Sequence, residues 1–149
     1  SAMRTFTAVL RHGSQQKDRD TMDIPVIATS NAPAAIGPYA QARAVNGLLF
    51  VSGQLPIDPA TGKFNSDDPV EQMRQCLKNI ASIAEAAGTS LSNCVKTTVL
   101  VMDLKRFADI NAAYGEAFSA PYPARATFQV AGLPLGAQVE VEAVIALKA

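Results

Sequence analysis

Two periodicities alternate along the chain, a two-residue repeat of apolar positions and a three-to-four-residue repeat. The first extended run, Tyr39 to Val45, stops at Asn46-Gly47, where both residues tolerate the positive φ of a type I′ turn. Leu48 to Gln54 is therefore predicted to return beside it as the second strand of a hairpin. Ahead of this pair, the stretch from Asn31 to Tyr39 holds two prolines and a glycine, which dictate an extended, turning path rather than a helix. Pro56 to Lys63 reads as turns. Asp67 and Asp68 then stand where a helix cap belongs, with Pro69 as the first helical residue. Val70, Met73, Leu77, Ile80 and Ala84 follow at helical spacing, and Gly88 supplies the stop.

Cys94 to Val101 is β-branched and apolar at nearly every position, as expected of a central strand covered on both faces. Asp103 is placed to cap a second helix with Phe107, Ile110, Tyr114 and Phe118 as its buried stripe, ended by Pro121 and Pro123. Two further strands, Arg125 to Ala131 and Gln138 to Leu147, are joined by Gly-Leu-Pro-Leu-Gly and read as an antiparallel pair. In the first, Ala126, Phe128 and Val130 oppose Arg125, Thr127 and Gln129; in the second, Val139, Val141 and Ile145 oppose Gln138, Glu140 and Glu142. Apolar faces packed under two helices give a two-layer α+β sandwich in the order β-β-α-β-α-β-β. The polar faces, an arginine and two glutamates among small residues, suit a subunit interface lined with functional groups.

Composition narrows the possible chemistry. The 149 residues carry 13 basic and 13 acidic side chains, so no overall field gathers nucleic acid or an anionic membrane. Residues 1–22 hold four of the basic and two of the acidic residues, which leaves 13 − 4 = 9 against 13 − 2 = 11 in the remainder, a slightly acidic domain. His12 is the only histidine, which argues against a histidine-based triad or a multi-histidine metal centre. Cys76 and Cys94 are far apart and read as reduced core residues. No apolar run reaches the length of a membrane span, and the expected location is the cytoplasm. Residues 1–22 read as an N-terminal extension, Ser1-Ala2-Met3 as a cloning remnant, and 23–149 as a single domain. If residues 4–21 are instead a targeting segment, the address is mitochondrial.

With that inventory, Arg125 is the leading candidate. It follows a Pro-Ala pair at a strand start, where its planar fork suits bidentate capture of a carboxylate; a structural salt bridge to Glu140 or Glu142 is the alternative. Glu140 can orient or deprotonate a water, or belong to a solvated polar face. Ser52-Gly53 ends an apolar strand, where glycine permits either a ligand's close approach or a tight bend. Tyr39 and Asn111 remain open between packing or exposure and a binding role.

Five ordered blocks give these residues a context: 31–39, Leu-Phe-Val-Ser-Gly-Gln-Leu-Pro (49–56), Val-Lys-Thr-Thr-Val-Leu-Val-Met-Asp-Leu (95–104), Pro-Ala-Arg (123–125) and Val-Glu-Val-Glu-Ala (139–143). Together they resemble the RidA (YjgF) family of reactive-intermediate deaminases. The resemblance implies a chorismate-mutase-like mixed sheet with two helices on one face, assembled as a homotrimer with clefts between subunits. It further implies cofactor-free, metal-free hydrolysis of enamines and imines such as 2-aminoacrylate to 2-keto acids and ammonia, that is, a 2-iminobutanoate/2-iminopropanoate deaminase. By the resemblance, Arg125 matches the carboxylate-binding arginine, Glu140 the glutamate that positions water, and Tyr39, Ser52, Gly53 and Asn111 cleft residues. Thr127 stands where many members have cysteine; the position is expected to contribute its backbone N–H, which threonine retains. The alternative of another class is a non-catalytic, small-carboxylate-binding or chaperone-like regulatory trimer. An endoribonuclease reading is disfavoured by the acidic balance and the lack of a histidine in the domain.

Overall fold

The computed structural model describes residues 9–10 and 23–148. The rest of the expected extension, residues 1–8 and 11–22, lies outside the described residues. β1 (Val9–Leu10), β2 (Val26–Ile27), β3 (Ala42–Val45) and β4 (Leu48–Gln54) precede α1 (Pro69–Ala86), β7 (Cys94–Val101), α2 (Phe107–Glu116), β8 (Ala124–Gln129) and β9 (Val139–Ala146). Two short strands, β5 (Ile57–Asp58) and β6 (Lys63–Phe64), pair within the segment predicted as turns. The main sheet has the order β1-β2-β3-β4-β9-β7-β8 and both helices pack on one face.

Local signals hold where they are strongest. Asn46 and Gly47 adopt φ of 50° and 76°, closing the β3–β4 hairpin as a type I′ turn requires. Asp68 accepts from the Val70 N–H, Pro69 opens α1, and Gly88 with φ 79° follows its last turn. Asp103 caps a short 3₁₀ turn, Leu104–Arg106, that leads into α2 rather than capping α2 itself. Phe118 lies just beyond the helix end, against the Tyr114 ring. Met73, Ile80, Ile83, Leu49, Val99, Val101, Val139, Val141 and Ile145 form the dry layer between helices and sheet. Each such side chain contributes roughly 1.5–3 kcal/mol by leaving water. Both cysteines are free and buried, as expected.

Three expectations are corrected by the register. β8 and β9 are not a hairpin: β9 inserts between β4 and β7, antiparallel to both, while β8 runs parallel to β7 after the crossover through α2. The physical reason lies in the core-facing residues. β9 offers Val139, Val141, Ala143 and Ile145, all buried, and can occupy the middle of the sheet. β8 pairs Arg125, Thr127 and Gln129 with the core-facing Thr97, Val99 and Val101 of β7, so its helix side is polar and belongs at an edge. Ala126 and Phe128, expected under the helices, therefore face the other way, with Phe128 54% exposed. β7 in turn is covered on one face within the chain, since Val95 and Lys96 are exposed and Thr98 and Leu100 half-buried on the open side.

Among the described residues every buried side-chain nitrogen and oxygen has a partner. Two of these buried amides shape the loops. Asn79 of α1 donates to the carbonyls of Leu55 and Ile57, at 3.1 and 2.9 Å. Gln41 accepts from the Thr29 N–H at 2.7 Å and donates to the carbonyls of Thr29 and Pro33 at 3.0 and 2.7 Å, folding the 29–40 loop back on β3. No helix among the described residues is long and apolar enough to cross a membrane.

Candidate active site

Arg125 leaves the edge strand β8 on the helix side and meets one face of α2. Its Nη1 donates to Asn111 Oδ1 at 2.6 Å, and its guanidinium carbon lies 4.7 Å from the Tyr114 ring centroid and 5.4 Å from that of Phe107. Phe107, Asn111 and Tyr114 fall at i, i+4 and i+7, so a single helix face supplies all three contacts. The Tyr114 hydroxyl shares a 2.7 Å hydrogen bond with Thr97 Oγ1. Burial, opposed by that hydrogen bond and by Arg125, pushes the Tyr114 phenol above its ordinary pKa, so it stays neutral across the working pH range.

Among the described residues Arg74 pairs with Glu71 and Glu116, and Arg106 with Asp68 and Asp109, whereas Arg125 pairs with no carboxylate there. The alternative of a bridge to Glu140 or Glu142 is thereby excluded for the single chain. Thr127 follows on the same face, half-buried beside Val99. The Val130 N–H donates to the Val101 carbonyl of β7, and strand alternation then turns the Thr127 N–H outward, off the free edge.

Glu140 occupies a different place. Its register partner is Leu100 of β7, which pairs with Phe128 of β8, so Glu140 lies on the open face, opposite to Arg125. Two strand spacings and three residues separate them, roughly 14 Å between Cα atoms before the opposed faces are counted. Reading the arginine and glutamates onto one face is thus corrected, and the cause is the intervening β7. Burial first, and the charge of Glu142 second, push the Glu140 carboxyl above the ordinary glutamate range.

Gly53 explains how the Glu140 carboxyl is housed. It sits in an irregularity of β4, where the pairing with β9 shifts between Val51 and Gln54. A Cβ built on Gly53 would lie 3.0 Å from Glu140 Cδ and 3.4 Å from Cγ, with Oε1 nearer still. The glycine makes room for a carboxylate of the chain itself. Next to it, Ser52 Oγ donates to the Ala40 carbonyl at 2.5 Å, joining β4 to the end of the 29–40 loop. Tyr39, 51% exposed, lines a groove of 660 Å³ with Thr29, Pro38 and Arg43, near the end of the sheet away from β8.

The predicted residues therefore assemble as separate groups. Arg125, Asn111 and Thr127 gather at the β8 edge, Glu140 with Gly53 and Ser52 on the open face, and Tyr39 beyond β3. Tyr114 and Phe107, read from the sequence as core stripe alone, also touch Arg125; their spacing with Asn111 was the available signal.

The comparisons with known proteins bear on this geometry. The family model described as Endoribonuclease L-PSP matches residues 29–147. The RutC family protein y4sK of Sinorhizobium fredii is 64% identical over 124 residues, covering 83% of this chain and 98% of that protein. A Homo sapiens protein named 2-iminobutanoate/2-iminopropanoate deaminase is 46% identical over 119 residues, covering 80% of this chain and 87% of its own length. The crystal structure of RidA from an Antarctic Psychrobacter superposes with a TM-score of 0.79 at 43% identity, covering 82% of this chain and 98% of that one. With a family model matched across most of the chain and relatives this similar along nearly their whole lengths, the chain belongs to the RidA (YjgF) family, whose model carries the description Endoribonuclease L-PSP.

Proposed function

We propose that the chain is a hydrolytic deaminase that converts 2-imino acids, formed from enamines such as 2-aminoacrylate, to 2-keto acids and ammonia, and that it works as a homotrimer with clefts between subunits. One observation carries the reading. Arg125 is held in place by Asn111 and two aromatic rings, yet has no carboxylate partner among the described residues, so its charge-assisted bonds remain free for a bound carboxylate. Relatives named for 2-iminobutanoate and 2-iminopropanoate agree, because each of these substrates carries a carboxylate next to the reacting carbon.

The separation of Arg125 from Glu140 supports the shared cleft. A substrate of four carbons cannot span roughly 14 Å and both faces of a sheet. A second copy, bringing its open face to the β8 edge, would supply Glu140, and with it Gly53, Ser52 and Tyr39, to a substrate anchored on Arg125 and the Thr127 N–H of the first.

The reaction then asks little of the protein. An imine carbon is already electrophilic, and fixing the carboxylate brings it to a defined place. Glu140, as carboxylate, aims a water and accepts one of its protons while the oxygen bonds to carbon. That proton passes to nitrogen to give a carbinolamine; the remaining hydroxyl proton is then taken by Glu140 and delivered to the amine nitrogen as the carbon–nitrogen bond breaks, so the water oxygen stays as the keto oxygen and ammonia leaves. No oxidant, reductant or metal enters this balance.

A ribonuclease reading, carried by the family model's description, finds no histidine in the matched residues 29–147, since the chain's only histidine is His12. The test is to generate a 2-imino acid in the presence of the protein and to follow ammonia release. Wild type accelerates hydrolysis and Arg125→Ala loses most of the acceleration. A full rate in Arg125→Ala sinks the proposal, and keto-acid binding with no acceleration leaves a non-catalytic carboxylate binder.

A further inference from the structure

We infer that Tyr114 and Phe107 are positioning residues for substrate capture, an aromatic platform that fixes the Arg125 guanidinium in the orientation a carboxylate needs. This rests on the reading of Arg125 as the substrate anchor.

An unrestrained arginine is a mobile side chain. On an exposed edge strand a four-torsion side chain spreads over many rotamers, and ordering it on ligand binding weakens affinity. Here that freedom is removed beforehand. The guanidinium carbon lies within cation–π range of both rings, at 4.7 and 5.4 Å, and Nη1 is committed to Asn111. One nitrogen is anchored while the remaining donors stay available.

The platform is itself braced. Tyr114 is 5% exposed, its ring lies 4.7 Å from that of Phe118, and its hydroxyl is tied to Thr97 Oγ1. Thr97 is the register partner of Arg125 on the neighbouring strand. The connections thus close a circuit, from β7 through the Tyr114 hydroxyl to α2, across the ring to the guanidinium, and back along β8 to the strand where they began. A tyrosine present only to fill the core would still need a partner for its hydroxyl, but it would not need a guanidinium over its ring. The platform also places two π faces against the cation on the side away from solvent, leaving the outer donors as the approach for an anion.

The experiment uses the intact protein with two readouts, calorimetric binding of 2-oxobutanoate, the keto acid formed from 2-iminobutanoate, and steady-state hydrolysis of the imine. Phe107→Leu and Tyr114→Leu are each expected to raise Kd and KM about fivefold to tenfold. Their kcat should stay within about twofold of wild type, because substrate that does bind still reaches water on Glu140. Tyr114→Phe keeps the ring and loses only the Thr97 brace, and is expected to recover most of the affinity, with Kd within about twofold to threefold of wild type. Wild-type Kd in Phe107→Leu, which is only half-buried and tolerates leucine, overturns the inference even if Tyr114→Leu fails to fold. So does a fall in kcat at unchanged Kd, the mark of a merely structural role. Arg125→Ala, measured in parallel, separates the two claims: loss of keto-acid binding there with unchanged binding in the ring variants refutes the platform alone, whereas unchanged binding in Arg125→Ala refutes the anchor on which it rests.

Discussion

The fit of Glu140 against Gly53 makes Gly53→Ala the most demanding test of the proposed water-activating group. Gly53 does not lie in the left-handed region, so alanine is conformationally allowed there and would gain about 0.4–1 kcal/mol through the unfolded chain. The three atoms nearest the new methyl all belong to the far end of one flexible side chain, with Glu140 Cδ at 3.0 Å and Oε1 closer. Carbon atoms in ordinary contact rest at about 3.5–4.0 Å, so the carboxyl must retreat by something near 1 Å. Rotating a glutamate away costs about 0.5–1.5 kcal/mol if it leaves a rotamer well, which nearly offsets the alanine gain. The expected change in stability is thus under about 1 kcal/mol.

Activity should respond very differently. A displacement of about 1 Å in a group that aims a nucleophile costs on the order of 10²-fold in rate. Gly53→Ala is therefore expected to keep its melting temperature within a few degrees, keep its affinity for 2-oxobutanoate, and lose about 10²-fold in kcat by ammonia release. Adding it to Glu140→Ala should do nothing further, since the methyl then has nothing to displace. A Gly53→Ala protein with wild-type kcat refutes the assignment of Glu140, and an equal loss in the Glu140→Ala background shows that the glycine acts through something else.

Four further expectations follow from the same structure. In the proposed reaction Glu140 acts as a carboxylate, so kcat should rise with pH through a value above the ordinary glutamate range, and Glu142→Gln should move that limb down without normalising it, because burial remains the larger cause; a pH–rate profile measures both. The folded state binds the Glu140 proton more tightly than the unfolded chain, so this group's contribution to stability is lost as pH rises from its unfolded value through its folded one, and Glu140→Gln should melt higher than wild type at pH 7. Asn79→Ala strands the carbonyls of Leu55 and Ile57 and should cost about 1–3 kcal/mol in urea unfolding while the imine assay at low temperature remains near wild type. Phe128→Glu places a charge on the open face and, if that face is shared between copies, should reduce the light-scattering mass to that of one chain and abolish hydrolysis together, with far-ultraviolet circular dichroism unchanged.

Legibility followed the range of the forces involved. The β3–β4 turn, the Asp68–Pro69 start of α1 and its Gly88 stop are decided by backbone preferences within a few residues, and each is found where the sequence puts it. The pairing of β8 was not legible. A glycine- and proline-containing link between two alternating strands reads as a hairpin, but it serves equally well to carry the chain past β7, and only the competition among strands for the centre of the sheet decides between them. β9 wins that competition because its core side is Val139, Val141, Ala143 and Ile145, whereas β8 would bury Arg125 and Gln129.

That one exchange of places determines how the site can work. Had β8 and β9 been neighbours in a hairpin, Arg125 and a glutamate could have stood on adjacent strands, and the arginine's simplest fate would have been a salt bridge within its own chain. With β7 between them and the alternation out of phase, the glutamates point to the open face and Arg125 to the helix side. Its nearest stabilising surface is then a pair of aromatic rings, which hold the cation without neutralising it. An arginine neutralised by its own glutamate would have to break that bond to receive a substrate carboxylate, and the exchange would leave little net affinity. Keeping the carboxylates on the far face leaves the cation's bonds available, and in the proposed reaction the same separation requires the carboxylate that aims water to come from a second copy. A cleft built between copies satisfies both conditions with one sheet.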